Sequence, residues 1–198
     1  MREMDRNVLS AAFHVTIPVL MGYLAIGMAF GLMMDSAGYN VFWALLMSLI
    51  IYAGAGQYMG VTLLAAGASP LQTALMTLLL NFRHMFYGLS MLEKFRGMGL
   101  RKLYMIFSLT DETYALLASA KAEGVREKDY YLAIALMDHS YWVLGTVLGS
   151  LLGSALSFDT TGVDFAMTAL FIVIAVGQWK GTRNHLPAAI GCLATLAS

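Results

Sequence analysis

The sequence predicts an all-α, polytopic membrane protein, organised as a single transmembrane domain over residues 1–198. Three observations predict it: the apolar composition, the spacing of the apolar runs and the placement of the basic residues. Hydrophobic residues make up 59% of the chain and charged residues 12%, whereas an ordinary soluble domain is about 25% charged. Apolar runs fall at roughly 11–34, 41–66, 70–92, 101–120, 129–156, 163–179 and 186–198, between short polar loops. A spanning helix needs about 20 apolar residues, so the chain has room for six or seven such elements and no soluble domain besides.

The first run is too long for a signal-peptide core and has no clear cleavage site before its loop, so it reads as a retained helix. The basic residues then set the topology. Eleven of the twelve lie in loops or tails: Arg2 and Arg6; Lys94, Arg96, Arg101 and Lys102; Lys121, Arg126 and Lys128; Lys180 and Arg183. The loops near 35–40 and 157–164 carry Asp35, Asp159 and Asp164 without Lys or Arg. The positive-inside rule makes the four basic regions, and the N-terminus, cytoplasmic.

That assignment constrains the second run. If 41–66 and 70–92 were both simple spans, the basic 93–102 loop would lie outside. The conflict disappears if 41–66 enters and returns on the same side as two half-helices. The segment Tyr52-Ala-Gly-Ala-Gly-Gln-Tyr58 offers the break, because Gly54 and Gly56 weaken a helix beside polar Gln57. Irregular backbone at membrane depth belongs where it is buried in protein or lines a wet cavity. The bland alternative is that these glycines only permit close helix packing. The run at 101–120, between two basic loops, poses the same parity problem. It is either a second re-entrant element or a helix shielded by a partner. The last run stops at Ser198, short of a span, which points to a truncated C-terminus.

A weak repeat accompanies these elements. Gly56-Gln-Tyr-Met-Gly60 is echoed by Gly177-Gln-Trp-Lys-Gly181, and Gly27 and Gly31 by Gly149 and Gly153. Many transporters are built from such duplicated halves, although glycine-rich helices also produce such echoes by chance.

Ionisable residues inside apolar runs cost several kcal/mol and normally face a partner or a solute path. Here they are Arg83, His84, Asp111, Glu112, Asp138 and His139, with His14 near the start of the first run. On a helix, Asn81, His84 and Gly88 share one stripe, and Arg83, Tyr87 and Ser90 the next. This broad polar face needs partners, which Asp111, Glu112 or Asp138 could supply. A structural salt-bridge network between helices explains any single residue as well as a transport role does; the cluster as a whole favours function. An amino-acid zwitterion would suit it. Arg83 or a half-helix N-terminus would take the carboxylate, Gln57, backbone carbonyls or a carboxylate the ammonium, and Met, Phe and Leu residues an apolar side chain. Other small solutes would fit as well.

Several classes are excluded. The formal net charge of +0 gives no case for nucleic acid. Cys192 is the single cysteine, so there is no internal disulfide and no cysteine-built metal site. No HExxH, Walker or GxSxG motif occurs, so neither a metal, a cofactor nor an enzyme activity is expected. Asp138 and His139 are sequence neighbours about 100° apart on a helix, a poor metal pair. Trp43 and Trp142 read as interfacial or packing residues.

The chain resembles the AzlC family, the larger subunit of bacterial branched-chain amino acid exporters. The resemblance rests on Pro18, Gly22, Gly27 and Gly31; on Tyr52-Ala-Gly-Ala-Gly-Gln57; on Asn81-Phe-Arg-His-Met-Phe-Tyr-Gly-Leu-Ser90; on Ser108-Leu-Thr-Asp-Glu-Thr-Tyr114; and on Trp142, Gly145 and Gly149. It implies efflux of valine, leucine, isoleucine and similar apolar amino acids such as methionine from the cytoplasmic membrane, together with a small AzlD-type membrane subunit. Gly54, Gly56, Gln57, Asn81 and Arg83 are the candidate substrate-binding residues. Proton antiport is the expected coupling, with His84, Asp111, Glu112 or Asp138 as carrier or polar network. A channel lined by the glycine-rich break and a non-transporting membrane scaffold are the competing readings.

Overall fold

The computed structural model describes residues 5–122 and 124–155. They form α1 (Arg6–Ser36), α2 (Val41–Ile50), α3 (Ala55–Ala65), α4 (Pro70–Ser90), α5 (Arg101–Phe107), α6 (Asp111–Ser119) and α7 (Glu127–Ala155). No strand occurs among the described residues, as the expected all-α class requires. The runs at 163–179 and 186–198, the Gly177–Gly181 echo, the acidic 157–164 loop and the question of truncation lie outside the described residues.

The centre of the fold is the pair α1 and α7, the two helices among the described residues that are long and apolar enough to cross a membrane. Asp5 caps α1 by accepting from the Asn7 amide at 3.3 Å, which satisfies one of the orphan donors of the first turn. The two helices run parallel. Thr16 Oγ1 lies 3.1 Å from Tyr141 Oη; further along, Gly27 meets Gly145, Gly31 meets Gly149, and Asp35 meets Gly153. The approach is backbone to backbone. A methyl group on Gly27 would lie 3.0 Å from the Trp142 carbonyl oxygen, and one on Gly145 would lie 2.7 Å from that of Tyr23. Methyl groups on Gly31 and Gly149 would run into the Thr146 and Met28 carbonyls. This is the small-xxx-small packing that lets helices associate in lipid, where apolar surface alone gives no preference for protein over solvent. The glycine echo seen in the sequence is thus part of a contact face, with Gly145 and Gly149 standing opposite Gly27 and Gly31.

The run at 41–66 is broken, as its parity demanded. α2 starts on Asn40, whose side chain accepts from the Phe42 amide at 3.1 Å, and stops before Ile51. Tyr52 (φ 39°) and Gly54 (φ 25°) then reverse the chain. Gln57 returns to within 3.3 Å of Ser48, so α3 folds back along α2. A tyrosine at positive φ costs about 1–2 kcal/mol. Stacking on His139 of α7, at 4.1 Å between ring centroids, holds it there. Gly56 lies within the first turn of α3 rather than in the break.

The run at 101–120 is broken as well. α5 has 7 residues and α6 has 9, about 10 and 14 Å of helix, far short of a bilayer core. α5 rises along α7, with Arg101 on Asp129 at 2.7 Å and Tyr104 on His139 at 3.1 Å. After Ser108–Thr110, α6 returns, and its Leu117 and Ala118 carbonyls accept from the Lys94 ammonium. Both hairpins therefore place their tips against the middle of the α1–α7 pair, and Tyr52 of one tip lies 6.2 Å from Phe107 of the other.

α4 begins on Ser69, which accepts from the Gln72 amide, with Pro70 at its first position. Leu71 is 70% exposed and Leu79 73% exposed, and no residue of α4 is fully buried by the described residues. An apolar surface of this extent is stable against hydrocarbon and unstable in water.

Gly149→Ala is expected to destabilise the folded chain by roughly 1–3 kcal/mol, because the added methyl has only backbone to displace. Gly22→Ala, with nothing within 4 Å of the added methyl, is expected to leave it unchanged or slightly more stable. Thermal denaturation of the two variants in detergent checks this; equal melting points would contradict the packing.

Candidate functional site

Three polar clusters surround the hairpin tips, each assembled from helices distant in sequence. The first joins the α2–α3 break to α4 and α7. Gln57 is fully buried; its Nε2 donates to Ser48 Oγ at 3.3 Å, and Ser48 Oγ donates to Thr146 Oγ1 at 3.0 Å. Gln57 Oε1 has no hydrogen-bond partner among the described residues. A methyl group on Gly56 would come within 3.5 Å of the Asn81 amide nitrogen, so α4 passes close to the start of α3. Gly54 faces the Trp142 ring edge. His139 belongs to the same region: its Nε2 lies 3.1 Å from the Ser48 carbonyl oxygen.

The second cluster joins α4 to α6. Arg83 Nη2 pairs with Asp111 Oδ2 at 3.0 Å, and Tyr87 donates to Asp111 Oδ1 at 2.6 Å. Tyr87 stacks on Tyr114 at 4.3 Å. The polar face of α4 thus meets a carboxylate, and of the three candidates Asp111 supplies it. Arg83 Nε is buried without a hydrogen-bond partner among the described residues. His84 stays within its own helix, with Nδ1 3.2 Å from the Asn81 carbonyl oxygen.

The third cluster joins α1, α6 and α7. Thr110 caps α6 by accepting from the Thr113 amide. Asp111 and Glu112 occupy the first turn, where the helix dipole favours negative charge. Tyr23 donates to Glu112 Oε2 at 2.9 Å and lies 2.6 Å from Thr110 Oγ1. Thr113 donates to Asp138 Oδ2 at 2.8 Å. Asp138 is fully buried, and its Oδ1 has no partner among the described residues. Asp138 and His139 do diverge, one toward α6 and the other toward α2 and α5.

The candidates from the sequence therefore fall into neighbouring groups: Gly54, Gly56, Gln57 and Asn81 around the first tip, Arg83 with Asp111, and Glu112 with Asp138. His84 makes no hydrogen bond to these groups and borders the second through its ring, 5.5 Å edge-on from that of Tyr87. Tyr23, Ser48, Tyr104 and Thr146 complete the clusters and carried no signal in the sequence, since a lone Tyr, Ser or Thr in an apolar run is unremarkable; Tyr52 was legible only as the start of the break segment. Thr110 and Thr113 were legible only as flanks of the Asp111-Glu112 pair. An apolar cavity of about 360 Å³ lies between α2, α5 and α7, lined by Leu49, Leu136, Val143 and Leu144 with Tyr104 and His139 among its walls. Among the described residues no three His, Cys, Asp or Glu side chains converge to hold a metal.

The AzlC protein family matches residues 18–156, which include all three clusters. The chain belongs to the AzlC family. It is similar to the branched-chain amino acid transport protein AzlC of Bacillus subtilis, 39% identical over 189 residues, 95% of this chain and 74% of that protein. It is also similar to an uncharacterized membrane protein of Helicobacter pylori, 49% identical over 181 residues, 91% of this chain and 79% of the relative. The inner membrane protein YgaZ of Escherichia coli is 31% identical over 189 residues, 90% of this chain and 77% of that protein. No solved structure matches the chain. Membership of AzlC and the apolar exterior together make this a membrane protein.

Arg83 and Asp111 are expected to be energetically coupled. In a double-mutant cycle with Arg83→Gln and Asp111→Asn, the unfolding free energies should deviate from additivity by roughly 0.5–3 kcal/mol. Additive effects in a chemical-denaturation series would show that the pair contributes nothing as a pair.

Proposed function

We propose that this AzlC chain is the large subunit of a two-component exporter of branched-chain and similar apolar amino acids, driven by proton antiport across a bacterial inner membrane. The observation that carries the reading is the meeting of two broken helical hairpins at buried polar clusters on the α1–α7 pair. Discontinuous helices that expose backbone and polar groups at mid-depth are the usual construction of a secondary-transporter binding site. The name of the Bacillus subtilis relative supplies the substrate class.

The topology follows from charge and helix direction. Arg6 at the start of α1 and Lys128 in the first turn of α7 stand at the same end of the parallel pair, and a cytoplasmic N-terminus puts both on the positive side. The α2–α3 hairpin enters from the outer face and the α5–α6 hairpin from the inner face.

Within the site, Arg83 Nε donates to the substrate carboxylate while Nη2 stays on Asp111. Gln57 Oε1 accepts from the substrate ammonium, helped by the turn near Gly54 and Gly56, and Asn81 closes this end. The apolar cavity beside α7 is large enough for a branched aliphatic side chain. Glu112 and Asp138 are the proton-carrying carboxylates, because Asp111 is neutralised by Arg83. The small AzlD-type subunit is the assembly partner.

Efflux of preloaded radiolabelled leucine from cells lacking their own exporter tests the reading. Efflux should accelerate only when the chain is expressed with its small partner. Arg83→Ala and Gln57→Ala should reduce it at least tenfold at equal protein level. Unchanged leucine efflux with the partner present would remove the substrate assignment.

A further inference from the structure

Glu112 on α6 and Asp138 on α7 are linked by an unbroken line of hydroxyl groups. Glu112 Oε2 lies 2.9 Å from Tyr23 Oη, which lies 2.6 Å from Thr110 Oγ1. Thr110 Oγ1 lies 3.1 Å from Thr113 Oγ1, which lies 2.8 Å from Asp138 Oδ2. Each of these four hydrogen bonds needs one proton, and the three hydroxyls supply three. The fourth must reside on one of the terminal carboxyl groups. With both carboxylates ionised, one contact in the line is left with two acceptors and no proton. With both protonated, one proton is surplus.

The Tyr52 hydroxyl also reaches the line, beside Tyr23 and Thr113, but it brings its own contacts along with its own proton and leaves the count along the line unchanged. Asp138 makes no ion pair among the described residues. The titratable groups facing it are Tyr23 from α1, Tyr52 from the first hairpin, Tyr104 from α5 and Glu112 from α6. Glu112 is faced by Tyr23, Asp111 and Arg83, and Arg83 is engaged by Asp111.

We infer that Glu112 and Asp138 hold a single proton between them and exchange it through Tyr23, Thr110 and Thr113. Starting from protonated Glu112, its O–H proton passes to Tyr23 Oη as Tyr23 releases its own proton to Thr110. Thr110 releases its proton to Thr113, and Thr113 releases its proton to Asp138 Oδ2. Four O–H bonds break and four form, the hydroxyls stay neutral with their directions reversed, and the negative charge moves from Asp138 to Glu112. The line crosses three elements, α1, the second hairpin and α7. Displacing that hairpin by even an ångström or two stretches its contacts beyond hydrogen-bonding distance, so exchange is confined to the conformation described here. As a step in transport the inference rests on the proton-antiport reading; the shared proton itself does not.

Two measurements on the chain reconstituted with its partner subunit separate these. In infrared spectra near neutral pH, the wild type should show one buried protonated carboxyl band. Glu112→Gln and Asp138→Asn each provide an amide N–H that completes the line with the opposite carboxylate ionised, so each should lose the band. Persistence of the band in either folded variant overturns the shared proton. In proteoliposomes, Tyr23→Phe and Thr113→Val should lower the ratio of pH-driven leucine flux to leucine–leucine exchange at least tenfold, and Thr113→Ser should restore it. An unchanged ratio, or equal loss of both fluxes in folded protein, overturns the relay. If wild-type flux ignores the pH gradient, the antiport reading fails and the infrared result alone decides the shared proton.

Discussion

The close approach of α1 and α7 is the constraint on which the remaining structure depends. Gly27 and Gly31 on one helix, and Gly145 and Gly149 on the other, remove the side chains that would otherwise separate the backbones. In lipid this matters more than in water, because association must come from dispersion contacts and interhelical hydrogen bonds. The consequence reaches beyond the pair. Trp142 packs edge-on to Tyr23 at 5.3 Å and stacks with Phe30 at 6.2 Å, which fixes the tyrosine hydroxyl where the tip of the second hairpin can reach it.

Both hairpins are seated on this platform by polar contacts. Ser48 reaches Thr146, and Tyr58 donates to the Ile26 carbonyl at 2.8 Å. Thr110 and Thr113 reach Tyr23 and Asp138. A hairpin tip at membrane depth leaves backbone and side-chain groups without water, so each must find a partner in another element. The same bonds that hold the tips therefore concentrate polar groups at the centre of an apolar molecule.

Asp111 and Asp138 differ in which groups meet them. Asp111 is met by a guanidinium and a phenol. Among the described residues Asp138 has one hydroxyl donor and no cation. A buried charge without a counter-charge is costly, so the two positions place different demands on their surroundings. Sequence proximity made Asp111 and Glu112 look equivalent; their facing helices, α4 for one and α1 for the other, give them different partners.

The sequence by itself determined the membrane class, the broken run at 41–66 and the ionisable residues that need partners. These follow from composition, from charge placement against a bilayer and from glycine's weak helix propensity, all of which act locally or through counting. It left open whether 101–120 was broken, because Ser108-Leu-Thr110 contains no glycine or proline to announce a turn. That break is set by Thr110 capping a new helix and by Tyr23 holding the cap from α1. Likewise the polar stripe of α4 was visible, but its choice of Asp111 over Glu112 or Asp138 was not. Only tertiary structure decided these points, because which side chains meet depends on the register of α1 against α7 and on where each hairpin tip lands. Neither is encoded within any one segment.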